Sequence, residues 1–150
     1  MSDRGEGERE TLGIERTFNA PAQAVFDAWT SAEWLRRWWH AEHDWETPEA
    51  EVDLRVGGAI RVVMRNPQDG TKYGGGGKYT VIDRPRRLAF TWAWDGDDEA
   101  KRQLVELEFI DHGDRTTVLM TNSGLPAGTS DEYREGWQNS FDNLEAAFNE

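Results

Sequence analysis

Along this chain the apolar positions recur at two different periods. Ile14, Arg16 and Phe18 share one phase of a short strand, IERTF, with Glu15 and Thr17 on the other. That run stops at Asn19-Ala20-Pro21 and the spacing lengthens. Pro21 suits the first position of a helix, where its missing N–H has no partner to lose, and Ala22, Val25, Phe26 and Trp29 follow at helical intervals. Thr30-Ser31-Ala32-Glu33 has the form of a capping box with Thr30 as the cap, which predicts a second short helix carrying Trp34, Leu35, Trp38 and Trp39.

From about residue 49 the period is two. Val52, Leu54 and Val56 alternate with Glu51, Asp53 and Arg55; beyond Gly57-Gly58, Ile60, Val62 and Met64 alternate with Ala59, Arg61 and Arg65, predicting a hairpin. Further strands are expected over 78–82, 88–94, 103–110 and 116–121, joined by turns short enough to favour an antiparallel meander. Gly74-Gly75-Gly76-Gly77 reads as a flexible turn or bulge, and Glu106 and Glu108 fall on the water-facing phase. Thr129-Ser130-Asp131-Glu132, a second possible capping box, opens a helix of about 20 residues, roughly 30 Å long. Along it Tyr133, Trp137, Phe141, Leu144 and Phe148 form one aromatic-rich stripe opposite an acidic face. So bulky a stripe has to lie across the sheet. The expected fold is therefore α+β, with a strongly bent antiparallel sheet of about six or seven strands gripping the last helix.

Composition narrows the functions. At 150 residues one domain is expected, over 12–150, behind a frayed acidic tail of residues 1–11 that has little to bury. A net charge of −12 repels phosphate backbones, so no nucleic-acid partner is expected; Arg84, Arg86 and Arg87 read as solvated side chains of one turn. The absence of cysteine removes disulfides, thiolate ligands and thiol nucleophiles. Neither a signal-length apolar stretch nor an 18-residue apolar run is present, which predicts a cytoplasmic protein with no membrane partner. Gly74 to Lys78 is not a phosphate loop: Lys72 and Tyr79 stand where Gly and Ser or Thr are needed, and a strand follows. No cofactor is expected. Asp53 and Arg55 read as a solvated charge couple.

Residues 34–45, WLRRWWHAEHDW, concentrate the candidate chemistry: a stacking platform, a metal site from His40, His43 and Asp44, or the wall of a hydrophobic pocket. The acidic chain argues against the first. A metal site needs a third or fourth ligand, and His112 belongs to a distant turn, so no metal is expected.

Taken in order, APAQAVFDAWTSAEWLRRWW, DLRVGGAIRVVM, GKYTVIDRPRRLAFTW, GDRTTVLMTNSGLP and GWQNSFDNL resemble the START-like (SRPBCC) superfamily with its helix-grip, birch-pollen-allergen fold. Within it they are similar to the branch homologous to the activator of the heat-shock-protein-90 ATPase. The likeness covers about residues 13–149. One departure is His40-Ala41, where that family commonly has Gly-Pro after the double tryptophan. The resemblance implies a curved sheet wrapped round the C-terminal helix, with an internal cavity closed at one end by the two short helices. Many relatives bind hydrophobic or aromatic molecules; others are cyclases or hydrolases, so a cavity is implied and a reaction is not.

Alternation and that implied fold together put Trp38, Trp39, Met64, Tyr79, Phe90, Trp92, Leu107, Trp137 and Phe141 around the space between sheet and helix. Tyr79 and the indole N–H groups of Trp92 and Trp137 are the expected polar handles, and His40, His43 and Asp44 the expected polar rim. The expected partner is a small hydrophobic or aromatic molecule. Two alternatives stay open: an enzyme of cyclase or hydrolase type with His43 or Asp44 as acid or base, and, from the family resemblance alone, a chaperone-cofactor module.

Overall fold

Both periods resolve into regular elements in the computed structural model, which describes residues 9–98 and 101–149. In chain order these are β1 (Arg9–Phe18), α1 (Ala22–Thr30), α2 (Ala32–Trp38), β2 (Glu46–Val52), β3 (Ala59–Arg65), β4 (Lys72–Asp83), β5 (Arg87–Trp94), β6 (Gln103–Asp111), β7 (Thr116–Pro126) and α3 (Ser130–Phe148). The strands form one antiparallel sheet in the order β1-β7-β6-β5-β4-β3-β2. β2 to β7 are a meander; α1 and α2 carry the chain from β1 at one edge to β2 at the other. The α+β, helix-grip expectation holds.

The inward phases are continuous from strand to strand: Leu12, Ile14 and Phe18 on β1, Ile60, Val62 and Met64 on β3, Leu88, Phe90 and Trp92 on β5, and Val105, Leu107 and Phe109 on β6 are all buried. Against them α3 lays Trp137, Phe141 and Leu144, the core of the expected stripe. Arg16 shares the inward phase of β1, yet it reaches α3 rather than the core, bonding Asp142 at 2.8 Å, Glu145 at 3.0 Å and Gln138 at 2.7 Å. Its guanidinium lies over the Phe141 ring, 5.8 Å from the ring centre, while its N–H groups find carboxylates, which is how an arginine tolerates such a position.

Several local expectations are corrected. β1 begins at Arg9, so residues 9–11 of the expected tail belong to a strand, with Arg9 and Glu10 paired to Pro126 and Leu125 of β7; residues 1–8 lie outside the described part. The hairpin exists, but its first strand lies upstream of Val52–Val56. Residues 53–58 make the turn, with Gly57 at φ 87° and Gly58 N–H bonded to Arg55 O at 2.7 Å, and Val56 is left exposed. β2 reads poorly as a strand because it holds Pro48; it is an edge strand whose register shifts between Glu46 and Glu49, where a missing N–H is tolerated.

Neither capping box forms as expected: the first is displaced by one residue, and in the second Thr129 stands at the N-cap without a side-chain bond. Ser31, not Thr30, accepts from Trp34 N–H at the start of α2, while the Thr30 hydroxyl bonds back to Phe26 O within α1. At α3 the Thr129 side chain makes no cap bond to the helix. The Glu10 carboxylate of β1 accepts instead from Gly128 N–H (2.8 Å) and Ser130 N–H (3.1 Å), placing negative charge at the helix N-terminus. These hydrogen bonds hold the Glu10 carboxyl below its ordinary pKa.

The four glycines are not a turn but the middle of β4, paired with β3 throughout. A methyl group on Gly75 would fall 2.7 Å from the Trp92 ring and 2.8 Å from Ala93 O. The missing side chains let the sheet fold tightly there and let one indole lie across the strand.

Candidate functional site

Consecutive inward indoles begin the site. Trp38 is the last residue of α2, and Trp39 adopts φ −83°, ψ 82° with His40 N–H bonded to Trp38 O at 2.9 Å, an inverse γ-turn. Leaving the helix there allows both side chains to be buried, which continued helical spacing would not. Trp38 anchors its indole N–H on Ala28 O at 2.9 Å, whereas the Trp39 ring centre lies 5.1 Å from those of both Trp92 and Trp137.

An open-mouthed pocket of about 290 Å³ lies beside these three indoles. Trp39 and Ala41 come from the segment after α2, Met64 from β3, Trp92 and Trp94 from β5, Gln103 and Val105 from β6, and Asn122 from β7. α3 contributes Glu132, Tyr133, Gly136, Trp137 and Ser140. Four of the nine expected residues, Trp39, Met64, Trp92 and Trp137, therefore meet in one wall. Trp38, Tyr79, Phe90, Leu107 and Phe141 are placed elsewhere, in the packed interior, each at most 3% exposed. The reason is Trp29 of α1. Its ring centre lies 4.6 Å from that of Trp38 and 5.8 Å from those of Trp137 and Phe141, so it occupies the middle of the grip and leaves the open space toward the N-terminal half of α3.

Polar atoms of the wall form one chain. Trp137 Nε1 donates to Asn122 Oδ1 (2.9 Å), Asn122 Nδ2 to Gln103 Oε1 (3.2 Å), and Gln103 Nε2 to Tyr133 Oη (3.0 Å), which also accepts from Trp94 Nε1 (2.8 Å). Asn122 and Gln103 are 1% and 3% exposed, so the chain satisfies groups that would be costly to bury alone. Tyr79 plays no such part: its hydroxyl is buried without a partner, and burial pushes the phenol well above its ordinary range.

The expected rim divides. His40 is buried, and its Nδ1 meets Thr47 Oγ1 at 3.1 Å. Thr47 gives its only hydrogen to Trp39 O, so it must accept from His40, which places a hydrogen on Nδ1. Burial, reinforced by His43, lowers the His40 pKa. α3 clamps the same segment: Ser140 Oγ donates to His40 O and Asn139 Nδ2 to Ala41 O. His43 and Asp44 are exposed, His43 beside Asn143 and Asp142, and none of the three expected rim residues lines the pocket.

Other candidates have plain partners. His112 bonds Thr117, and among the described residues no three His, Asp or Glu side chains come close enough together to hold a cation. Arg84 bonds Asp27 and covers the Phe26 ring; Arg86 bonds Asp83; Arg55 pairs with Asp53 at 2.9 Å in the turn after β2. No described helix is long and apolar enough to cross a membrane.

Among the lining residues that sequence reasoning missed, Gln103, Asn122, Tyr133 and Trp94 are those that build the polar chain. The available signal was a polar residue on an inward phase, Gln103 ahead of Val105-x-Leu107 and Asn122 after Val118-x-Met120.

Comparison with known proteins agrees with this architecture. A protein of Chromobacterium violaceum shares the fold, with a TM-score of 0.82, 23% identity and 93% and 97% of the two chains covered. An Hsp90 activator from Plasmodium falciparum superposes with a TM-score of 0.72 at 25% identity over 91% and 94%. In sequence, the Activator of 90 kDa heat shock protein ATPase homolog 1 of Mus musculus is 23% identical over 130 residues, 87% of this chain. The chain spans only 34% of that relative's length. Residues 19–149 match the family model "Activator of Hsp90 ATPase homolog 1-like protein", and the chain belongs to that family.

Proposed function

We propose that the protein binds a small hydrophobic or aromatic molecule in the pocket between the N-terminal half of α3 and strands β5 to β7. The observation that carries this is the convergence of Trp39, Trp92, Trp94 and Trp137 on one open space of about 290 Å³ backed by a hydrogen-bonded polar chain. Apolar walls with a few placed polar groups are the usual make-up of small-molecule sites. Burying about 200 Å² of ligand at about 25 cal/mol per Å² contributes about 5 kcal/mol toward offsetting the entropy cost of association. Native mass spectrometry of protein purified from its own host is expected to find a retained small molecule. A bare chain, together with no thermal shift across a broad panel of aromatic compounds, would defeat the proposal.

A second reading is an interaction module for a chaperone. It is favoured by the names of the relatives and by the acidic outer face of α3, where Asp131, Glu135 and Asp142 are exposed. Among the described residues the exposed large hydrophobics are Val56 and Tyr73, so such a contact would rest on charge rather than on an apolar patch. Salt-sensitive capture of the host's own Hsp90 is its test, and absence of capture at low salt removes it. The enzyme alternative finds less support: His43 and Asp44 face solvent, and among the described residues Glu132 is the one carboxylate of the pocket lining.

A further inference from the structure

The polar chain has a direction, and that direction specifies what the pocket's occupant must carry. An indole N–H can only donate. Trp137 therefore fixes Asn122 with its oxygen toward the indole and its amide hydrogens toward Gln103, and Gln103 in turn must turn its oxygen to Asn122 and its nitrogen to Tyr133. From the other end Trp94 donates to the same phenolic oxygen. Both lone pairs of Tyr133 Oη are thus engaged, and among the described residues its own hydrogen has no acceptor. Tyr133 lies in the pocket wall beside Trp92 and Trp137.

Charge sets a further condition. Among the described residues no Lys, Arg or His lines the pocket, Glu132 does, and the whole chain carries a net charge of −12. An anionic ligand would meet a carboxylate with no cation to offset it.

We infer that the pocket takes neutral aromatic molecules bearing a carbonyl or similar acceptor oxygen, which receives the Tyr133 O–H while the rings lie among Trp39, Trp92 and Trp137. This rests on the proposed ligand-binding role and sharpens it from any apolar molecule to a carbonyl-bearing one. A donor held in place by two incoming hydrogen bonds is already oriented, so little ordering is left for the ligand to bring about.

Three probes with one ring system separate the possibilities by isothermal titration calorimetry: 2-acetylnaphthalene, its hydrocarbon isostere 2-isopropenylnaphthalene, and 2-naphthoate. The ketone is expected to bind about threefold to tenfold tighter than the hydrocarbon, the worth of one hydrogen bond, although the hydrocarbon is the more apolar. Naphthoate is expected to bind at least about tenfold more weakly than the ketone. In Tyr133→Phe, with its fold checked by circular dichroism, the preference for the ketone should vanish. Equal or tighter binding of the hydrocarbon to the unaltered protein overturns the inference while leaving the ligand-binding role intact. So does tighter binding of naphthoate, or a ketone preference that survives in a folded Tyr133→Phe protein. If none of the three binds, both the ligand-binding role and this inference fall. The comparison on the unaltered protein stands even if the variant does not fold.

Discussion

Asn122 Oδ1 receives the Trp137 indole N–H at 2.9 Å, a side-chain bond between the last strand and the last helix with both partners buried. Removing the amide would leave Trp137 Nε1 without an acceptor and Gln103 Oε1 without a donor, each in a dry place. Asn122→Ala is expected to lower the free energy of unfolding by about 2–4 kcal/mol in urea titration, beyond what the loss of side-chain volume at one position costs. A loss below about 0.5 kcal/mol would mean that the chain of bonds is not a structural unit.

Gly75 underlies one wall of the pocket. With Trp92 2.7 Å and Ala93 O 2.8 Å from where a methyl would sit, Gly75→Ala must displace the indole or the strand. A destabilisation of about 1–3 kcal/mol is expected, the range for overpacking, with a changed Trp92 environment visible in near-ultraviolet circular dichroism. An unchanged spectrum and unchanged stability would show that the fit between glycine and indole is looser than described.

Tyr79 offers the opposite sign. Its hydroxyl is buried with no partner while its ring packs edge-on against Phe90 at 6.1 Å. Tyr79→Phe keeps the ring and removes the unmet polar group, and it should raise stability by about 1 kcal/mol, measured as a higher urea midpoint at unchanged slope. Because Tyr79 does not line the pocket, ligand affinity should be unaffected.

Two groups give stability separate pH windows. His40 has a folded pKa below its ordinary 6.5, so on acidification the unfolded chain takes the proton first. Its contribution is complete above pH 6.5 and declines as the pH falls below that value, until the folded pKa is passed. His40→Gln should flatten the stability profile as the pH falls below about 6.5. Glu10 has a folded pKa below its ordinary 4.5, so its contribution is present above 4.5 and is lost as the pH falls through the folded pKa. The melting-temperature difference between the protein and Glu10→Gln should therefore be seen at pH 7 and shrink as the pH falls below 4.5. Parallel profiles for parent and variant across either window would contradict the corresponding assignment.

Local periodicity carried most of the fold. The α3 stripe and the β3, β5, β6 and β7 alternations were legible because each is set by which face meets the core. What failed was set by distant partners. Glu10 caps a helix some 120 positions away, so no local motif could reveal it, and Thr129-Ser130-Asp131-Glu132 looked sufficient by itself. Gly74–Gly77 resembled a turn because composition records an absent side chain without recording what occupies its place, here the Trp92 ring at Gly75. In the site, Trp39, Trp92 and Trp137 could be read as inward aromatics, but nothing local told them apart from Trp38 and Phe141, which Trp29 seals into the core. His40 looked like a wet rim because its burial depends on Thr47 and on Ser140 of α3.

The central claim, that a small aromatic ligand enters between α3 and strands β5 to β7, is tested most directly through the indole N–H resonances of the eight tryptophans in a nitrogen-15 correlation spectrum. Trp39, Trp92, Trp94 and Trp137 line the pocket, whereas Trp34 rests on Phe148 and Trp45 stacks on Tyr73 outside it. Titration with 2-acetylnaphthalene should shift the first four and leave Trp34 and Trp45 in place. No indole shift at the probe's solubility limit, or shifts confined to Trp34 and Trp45, would contradict the account.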